Sequence, residues 1–390
     1  MTTFDFDKII DRRGTNALKT DVLKARYGRE DLIPLWVADM DFLSPPTISE
    51  ALIERAKHGI FGYTRADQEY YDSIINWEKK HYNWDIRQEW ISYIPGVVKG
   101  IAFVIDCFTR KEDRVIIQPP VYHPFRIIPT LHHRGLVYNQ LILDSGQYKM
   151  DLDDLKSRIT SDCKVLILCN PHNPAGRVWA QDELSDIADI CYENNILVIA
   201  DEIHCDLAFA PHQYIPFASV SQKAAMNSIT LKAPSKTFNI AGIVSSYAVV
   251  PNDEIRKKFY DYLVSSELDE ADLFAYLAAK VAYQTGEEWL IQVKKYIWEN
   301  ICWVDEYLKN KIPQIKVIRP QASFLVWLDC RDLNLTQKEL VSLFVNEAKL
   351  ALNDGAMFGD GGMGFMRMNV GTSRLVLEKA LNNLNIAVNK

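Results

Sequence analysis

Short apolar runs that alternate with amphipathic segments are the feature of this chain that most limits its fold. In the runs 164–169 and 195–200 every residue after the first is apolar, as in strands that are buried on both faces, and the run 228–231 is also strand-like. Between two of these runs, the segment 181–193 has its apolar residues at helical spacing. The alternation, which continues from residue 46 to about residue 285, predicts an α/β fold with a mostly parallel sheet flanked by helices. Ligands of such sheets bind at the carboxyl ends of the strands.

The length of 390 residues predicts more than one domain, because a single core rarely grows that large. We expect residues 46–285 to form a large domain and residues 286–390 a smaller α+β domain. In the latter, a strand at 323–328 precedes a helix that a capping box at 336–339 would start. The N-terminal segment 1–45 is expected to pack on the small domain. Ser44 is expected to cap the helix that follows it.

Composition and charge exclude several classes of function. The net charge of −7 argues against nonspecific binding of nucleic acid. Seven cysteines without a CxxC pair indicate neither a disulfide framework nor a structural zinc site, and His132-His133 lacks plausible metal partners. The N-terminus does not resemble a signal peptide, and no apolar run approaches the ~20 residues that span a bilayer. We therefore predict no metal and no membrane association, and a location in the cytoplasm.

Lys236 lies just after the run 228–231, between Ser235 and Asn239. A lysine that is fixed and partly desolvated at the edge of a sheet has a lowered pKa and suits imine chemistry, such as a Schiff base with an aldehyde cofactor. A lysine after a strand is more often an ordinary surface residue. The interpretation of Lys236 therefore depends on what else reaches the same edge.

Two other strand ends carry polar side chains. Asp201 follows the run 195–200, where a buried carboxylate needs a cation or a donor, and the pyridinium nitrogen of pyridoxal phosphate is such a partner. The alternative is an aspartate that caps the next turn. Asn173 lies in a turn rich in Asn and Pro after the run 164–169, and its amide could donate to a phenolate oxygen. The alternative here is a plain turn.

Two further segments reach the same edge upstream. Gly96 precedes a helical pattern whose first backbone N–H groups could bind a phosphate. Tyr122 follows the strand-like run 115–117 and could stack on a flat cofactor or simply pack under its loop.

In their order along the chain these sites resemble those of the fold-type-I pyridoxal-phosphate enzymes, the aspartate aminotransferase superfamily. The resemblance spans the chain and is closest to the C–S lyases of the MalY/PatB type, also called cystathionine β-lyases or cysteine-S-conjugate β-lyases. The segments that carry this closer resemblance are LWVADMDF at 35–42, HGIFGY at 58–63, CNPHNPAGRVW at 169–179, DEIH at 201–204 and APSKTFNIAG at 233–242.

The resemblance implies a role for each matching residue. Lys236 would carry pyridoxal phosphate, Asp201 would pair with its ring nitrogen, Asn173 would bond the ring oxygen and Tyr122 would stack on the ring. The other implied cofactor-binding positions are Val97, Val98, His204, Ser235 and, from the neighbouring subunit of a homodimer, Tyr63. The implied substrate-binding positions are Arg367, which would grip the α-carboxylate, together with Val37 and Ala38.

The chain departs from the aminotransferase pattern at four positions. His204 stands where many aminotransferases have a tyrosine, as it does in the C–S lyase branch. Ala233 and Val244 stand where serine and arginine are common, so phosphate binding would rely on the backbone, Ser235 and Tyr63. Lys99 stands beside the phosphate-binding turn, and we expect it to face solvent.

A glycine motif at 359–364 matches the pattern G-x-G-x-x-G of dinucleotide-binding sites. Such a site needs a strand before the motif and a helix after it, whereas here a strand-like segment, 365–370, follows. We interpret the motif as a turn that presents Arg367.

The predicted activity is pyridoxal-phosphate-dependent α,β-elimination on an S-substituted L-cysteine, with Lys236 as the base that removes the Cα proton. The alternative is an aminotransferase, because both reactions start with the same proton removal. A binding protein without catalysis is disfavoured by the presence of Lys236, Asp201, Asn173 and Arg367.

Overall fold

The computed structural model describes residues 3–390. Its α-helices are α1 (Leu23–Tyr27), α2 (Pro46–Lys57), α3 (Gln68–Tyr82), α4 (Val97–Phe108), α5 (Pro124–Leu131), α6 (Leu152–Arg158), α7 (Gln181–Glu193), α8 (Gln222–Met226), α9 (Pro234–Thr237), α10 (Asp253–Ser265), α11 (Leu273–Thr285), α12 (Glu287–Lys311), α13 (Gln337–Ser342) and α14 (Arg374–Val388). Its strands are β1 (Ile33–Pro34), β2 (Ile91–Ile94), β3 (Arg114–Ile117), β4 (Gly135–Tyr138), β5 (Ile142–Asp144), β6 (Gln147–Lys149), β7 (Cys163–Cys169), β8 (Leu197–Asp201), β9 (Ser228–Lys232), β10 (Ser246–Val249), β11 (Lys316–Ile318), β12 (Leu325–Asp329), β13 (Leu350–Ala351), β14 (Asn353–Asp354) and β15 (Phe365–Asn369).

The larger sheet has seven strands in the order β2-β10-β9-β8-β7-β3-β4. Strand β10 runs antiparallel to both of its neighbours, and every other neighbouring pair in this sheet is parallel. The predicted α/β fold with a mostly parallel sheet is thus confirmed. Its strands β9, β8, β7 and β3 end side by side at one edge, and the connections that follow them carry the polar residues singled out in the sequence.

Both faces of this sheet are buried, as the continuous apolar runs predict. In β7, Leu166 and Leu168 belong to the core on one face, whereas Val165 and Ile167 belong to the core on the other. Strand β8 is buried at all five positions. Because successive side chains in a strand point to opposite faces, only a sheet covered on both sides gives every residue of the run an apolar environment.

A second sheet has four antiparallel strands in the order β11-β12-β15-β14. The strand that the sequence places at 323–328 runs from Leu325 to Asp329 instead. Ser323 has a positive φ of 77°, and its N–H donates to the Leu207 carbonyl, so the chain is still turning there. The capping box is confirmed, since Thr336 and Glu339 bond each other's backbone N–H at the start of α13.

The N-terminal segment reaches the C-terminal third of the chain through strand pairing. Strand β1 pairs in parallel with β13. Leu23, Leu32 and Trp36 pack in one apolar cluster with Val345 and Ala351. The division of the chain at residues 45 and 285 stays a prediction.

Two local expectations have different outcomes. Ser44 does not cap α2, because the helix starts at Pro46 and the Ser44 hydroxyl donates to the Asn239 carbonyl, 2.9 Å away. The glycine motif at 359–364 is a turn that leads directly into β15, which carries Arg367. A side chain at Gly362 would lie 2.1 Å from the Gly355 oxygen, so close backbone packing explains that glycine.

Among residues 3–390, no helix is both long and apolar enough to cross a membrane.

A buried ion pair lies between the seven-stranded sheet and helix α3. The Lys232 ammonium is 2.6 Å from the Glu78 carboxylate, and both residues are almost fully buried. The Tyr247 hydroxyl donates to the same carboxylate at 3.1 Å. The pair joins β9, which leads to Lys236, to helix α3.

We expect Lys232→Met to lower the free energy of unfolding by about 3–5 kcal/mol, because it leaves the Glu78 carboxylate buried without its cation. Chemical denaturation followed by circular dichroism measures the change. Lys257→Met is the matched control, since it removes an exposed pair with Asp261 and should cost less than about 1 kcal/mol. Equal losses in the two variants would contradict the importance of the buried pair.

Candidate active site

A cavity of about 340 Å³ opens at the carboxyl edge of the seven-stranded sheet. It collects residues from segments that are far apart in the sequence and that follow neighbouring strands. Its lining is formed by Ala38, Pro95, Gly96, Val97, Val98, Lys99, Tyr122, Cys169, Asn173, Asp201, Ile203, His204, Ser235, Lys236, Ala241, Ile243, Val244 and Ser246. Nine of the sequence-predicted site residues are in this set.

Lys236 lies in the short helix α9, which directly follows β9. Its Nζ donates to the Ala38 carbonyl at 2.5 Å. Burial and the positive charge of Arg367 lower the pKa of Lys236 to about 8, against the opposing effect of Asp39 and Asp201. An amine with this pKa is neutral in a substantial fraction of molecules near pH 8, and the neutral amine is the nucleophile and the base.

Asp201 is the last residue of β8 and is buried. Its Oδ1 accepts the Ile203 N–H at 3.1 Å, and no cation of residues 3–390 forms an ion pair with it within 4 Å. Burial raises the pKa of Asp201 to about 6. A carboxylate in this condition is stabilised by any cation that enters the cavity.

Asn173 links Tyr122 to Arg367. The Tyr122 N–H donates to the Asn173 carbonyl at 3.0 Å, which ties the aromatic residue to the turn after β7. The Asn173 Oδ1 accepts from Arg367 Nη1 at 3.0 Å. Because that oxygen is engaged, the amide nitrogen is the group that Asn173 can offer as a donor to a molecule in the cavity.

Arg367 is buried on β15 and is held from three sides. Besides its bond to Asn173, its Nη2 donates to Asn353 Oδ1 at 2.6 Å and to the Trp36 carbonyl at 3.1 Å. All three of these acceptors are neutral, and the Nε has no partner among the described residues. A buried guanidinium with neutral neighbours and unused N–H groups suits a carboxylate ligand.

Helix α4 begins at the cavity. Gly96 has a φ of 118°, a conformation that favours glycine, and the helix starts at Val97. No side chain caps this end, so the N–H groups of the first turn are available to an anion. Ser235 and the exposed Lys99 border the same end of the cavity.

His204 is a buried wall of the cavity rather than a charged group. Burial and the nearby charges of Lys236 and Arg367 lower its pKa to about 3, so its imidazole is neutral at physiological pH. Its Nδ1 has no hydrogen-bond partner in the part of the chain that the structure describes.

Residues 37–42 form a strap in which Ala38 lines the cavity, and the side chains that anchor this strap were not predicted from the sequence. The Asn369 amide donates to the carbonyls of Val37 and Asp39, both at 2.6 Å. The Asp39 carboxylate binds Arg12 at 2.7 Å and 2.9 Å. The fully buried Lys19 binds Asp41 at 2.9 Å. These contacts fix the position of the Ala38 carbonyl that accepts from Lys236.

The structure does not bring every sequence-predicted residue into the cavity. Val37 and Arg367 do not line it, although Val37 directly precedes Ala38 and Arg367 donates to Asn173, both of which do. Tyr63 is fully exposed on the loop after α2 and lies outside the cavity of its own chain. Cys169 does line it, and its Sγ accepts the Asn173 N–H at 3.3 Å. Cys169 was not among the predicted site residues, and its position at the end of the run 164–169 is the sequence signal that could have indicated it.

The sequence matches the family Aminotransferase class I and II over residues 30–384. Cystathionine β-lyase PatB of Bacillus subtilis strain 168 is 39% identical over 385 residues, which cover 98% of this chain and 100% of that protein. A pyridoxal-phosphate-bound protein of Clostridium difficile 630, provisionally named an aminotransferase, has a TM-score of 0.97 and 40% identity, covering 99% and 100% of the two chains. The pyridoxal-phosphate-bound C–S lyase of Staphylococcus hominis has a TM-score of 0.92 and 32% identity, covering 100% and 99%. The predicted family and fold class are confirmed.

We expect Lys236 to react with amine reagents far faster than other lysines in protein stripped of small molecules. Since only the neutral amine reacts, the rate should rise with pH and reach half its maximum near pH 8. Asp39→Asn should move this midpoint to lower pH, because the Asp39 charge stabilises the ammonium. Peptide mapping after trinitrobenzenesulfonate labelling measures the rate, with the exposed Lys257 as internal control. A midpoint near that of an ordinary lysine, about 10.4, would contradict the assignment.

Proposed function

This chain belongs to the aminotransferase class I and II family, and within that family we propose that it is a pyridoxal-phosphate-dependent carbon–sulfur lyase. It acts on S-substituted L-cysteines such as cystathionine and releases a thiol, pyruvate and ammonia. The full-length similarity to a cystathionine β-lyase and the match to a C–S lyase structure support this reaction over transamination. The structural observation that carries the proposal is that Lys236 lines one cavity with a buried Asp201 that has no cationic partner within 4 Å among residues 3–390, and burial there lowers the pKa of the lysine to about 8.

The described residues fit pyridoxal phosphate. The Asp201 carboxylate needs a positive group, which the ring nitrogen provides when it is protonated. The N-terminus of α4 and Ser235 would hold the phosphate, and Asn173 would donate to the ring oxygen. Tyr122, which lines the same cavity, would stack on the ring. His204 would contribute an uncharged wall, because its pKa is far below physiological pH.

When it is bound, pyridoxal phosphate supplies the electron sink that takes up the electron pair left at Cα. Lys236 Nζ removes the Cα proton and holds it as an ammonium. The Cβ–S bond then breaks, the thiolate leaves, and water hydrolyses the remaining three-carbon fragment to pyruvate and ammonia. The Ala38 carbonyl, 2.5 Å from Nζ, fixes the amine and stabilises it once it is charged.

Arg367 orients the substrate. Its unused N–H groups would bind the α-carboxylate, while Asn173, Asn353 and the Trp36 carbonyl prevent the guanidinium from turning. Ala38, the strap residue that lines the cavity, would form the adjacent wall of the substrate site, and Val37 would support it from the preceding position. When the carboxylate is held, the Cα–H bond keeps a fixed direction relative to Lys236. This orientation lowers the entropic cost of reaching the transition state.

The finer assignments concern assembly and location. We propose that the protein is a homodimer in which Tyr63 reaches the phosphate site of the partner. The exposed apolar side chains of Ile60, Phe61 and Tyr63 on one loop support this assembly. A cytoplasmic location stays a prediction.

We expect the purified enzyme to release equimolar pyruvate, ammonia and thiol from an S-substituted L-cysteine without a 2-oxo acid acceptor. Arg367→Ala should lower kcat/KM about 100-fold or more, because the carboxylate grip positions the reacting bond. Arg367→Lys is the matched variant, which keeps the positive charge but loses the forked N–H geometry of the guanidinium. Its kcat/KM should lie between those of the wild type and of Arg367→Ala.

Lactate dehydrogenase coupling measures pyruvate, and a thiol reagent measures the other product. Turnover that requires 2-oxoglutarate and conserves the amino group as glutamate would show that the enzyme is an aminotransferase instead.

We expect Tyr63→Phe to weaken retention of pyridoxal phosphate about 10-fold, because the lost hydroxyl is a phosphate donor in the proposed dimer. Cofactor absorbance after gel filtration at graded dilution measures retention. Tyr192→Phe, which also changes an exposed tyrosine, is the control and should retain cofactor as the wild type does. A fully active monomer in sedimentation would overturn the shared site.

A further inference from the structure

A second cavity, of about 630 Å³, opens between helices α3 and α12. Its walls are the C-terminal end of α3, the connection that follows β8 and the first two turns of α12. It shares no lining residue with the cavity that Lys236 lines. The proposed lyase reaction therefore leaves this space without a role.

Lys294 lines the second cavity as a cation without a partner. Within residues 3–390, its Nζ forms neither a hydrogen bond nor an ion pair, whereas Lys80 in the same wall binds the Glu287 carboxylate. Lys294 is half-buried, and this burial lowers its pKa against the opposing charge of Asp206. A partly desolvated ammonium is stabilised by an anion that enters the cavity.

Asp206, the buried carboxylate of this wall, is already engaged by other donors. Its Oδ1 accepts from Trp77 Nε1 at 2.9 Å and from the Tyr82 hydroxyl. Its Oδ2 accepts from the Thr237 hydroxyl at 2.6 Å. Three neutral donors thus satisfy Asp206 and leave Lys294 without a direct contact to it. Because Thr237 directly follows Lys236, a molecule in this cavity would lie against the carboxylate that holds the residue next to Lys236.

The rest of the wall combines neutral and apolar groups. Burial lowers the pKa values of His81 and His212, so both imidazoles are neutral at physiological pH. Leu290, Ile291 and Tyr214 add apolar surface. A single unpaired ammonium beside apolar surface suits a ligand that carries one anionic group on an apolar body.

We propose that the second cavity is a binding site for a small organic carboxylate with an apolar body, and that Lys294 binds the carboxylate group. A carboxylate brings one negative charge, which one ammonium balances. A phosphate monoester brings up to two, and the wall also holds the negative charges of Asp206 and Glu287. This inference is independent of the lyase function, because the two cavities have no residue in common.

The test compares phenylacetate with its uncharged amide, phenylacetamide, which has the same apolar body. Saturation-transfer NMR titrations use protein that carries Arg367→Ala, which removes the other group proposed to bind a carboxylate. We expect a Kd of about 1 mM for phenylacetate and binding about 10-fold weaker for the amide, because only the acid can pair with an ammonium.

Three further substitutions in the same protein identify the binding group. Lys294→Gln should bring the ratio of the two Kd values close to one, whereas Lys294→Arg should keep the preference for the acid because it keeps the charge. Lys295→Gln is the matched control, since Lys295 is exposed on the same helix and does not line the cavity. Equal binding of acid and amide before Lys294 is changed, or a preference that survives Lys294→Gln, would overturn the proposal.

A second measurement needs no substitution. In the wild-type protein, phenylacetate at about ten times its Kd should slow the labelling of Lys294 by trinitrobenzenesulfonate about 10-fold, because the bound carboxylate keeps the amine protonated and covered. Labelling of Lys295 should stay unchanged, and phenylacetamide at the same concentration should slow Lys294 only about 2-fold. Peptide mapping measures both rates. Unchanged labelling of Lys294 in phenylacetate would overturn the site, whereas the lyase function is judged separately by pyruvate release.

Discussion

The desolvation of opposite charges at one edge of a parallel sheet is the constraint on which the candidate site depends. Asp201 ends β8 as a buried carboxylate, and Lys236 follows β9 as a partly buried amine. Burial raises the pKa of the first to about 6 and lowers that of the second to about 8. The pKa of each group is therefore close enough to neutral pH for the group to accept or release a proton. The sheet fixes both positions, since neither residue belongs to a flexible loop.

The fold and the centre of the site could be predicted because they follow from local rules. A continuous apolar run becomes a strand buried on two faces, and the residue that ends the run must lie at the carboxyl edge. Asp201 stands at such an end, Asn173 and Lys236 lie in the segments just after β7 and β9, and Gly96 precedes a helix at the same edge. The family resemblance assigned roles to these positions, and the structure places them around one cavity.

The strap and its anchors could not be predicted from the same rules. Arg12 and Lys19 lie in a segment of little regular structure, and nothing in their local sequence indicates that Asp39 and Asp41 are their partners. The wrong assignment of Ser44 has a similar cause. A serine before a helix predicts a helix cap, but in the folded chain the Ser44 hydroxyl donates a hydrogen bond to the Asn239 carbonyl instead. Contacts between distant segments decide such cases, and one sequence does not contain them.

The strap also has a consequence for how the chain is made. Asn369, which holds the Val37 carbonyl, is 332 positions away from it along the chain, and β1 cannot pair until β13 exists. During synthesis, the residues that shape the substrate wall leave the ribosome first. Their anchors, Asn369 and β13, are synthesised only after nearly the whole chain has been made. The seven-stranded sheet is complete by β10, so it can fold while the N-terminal segment is still unattached. Competence for catalysis is then acquired in the last step of folding, and a chain that ends before Asn369 lacks the anchor of the strap although its seven-stranded sheet is complete.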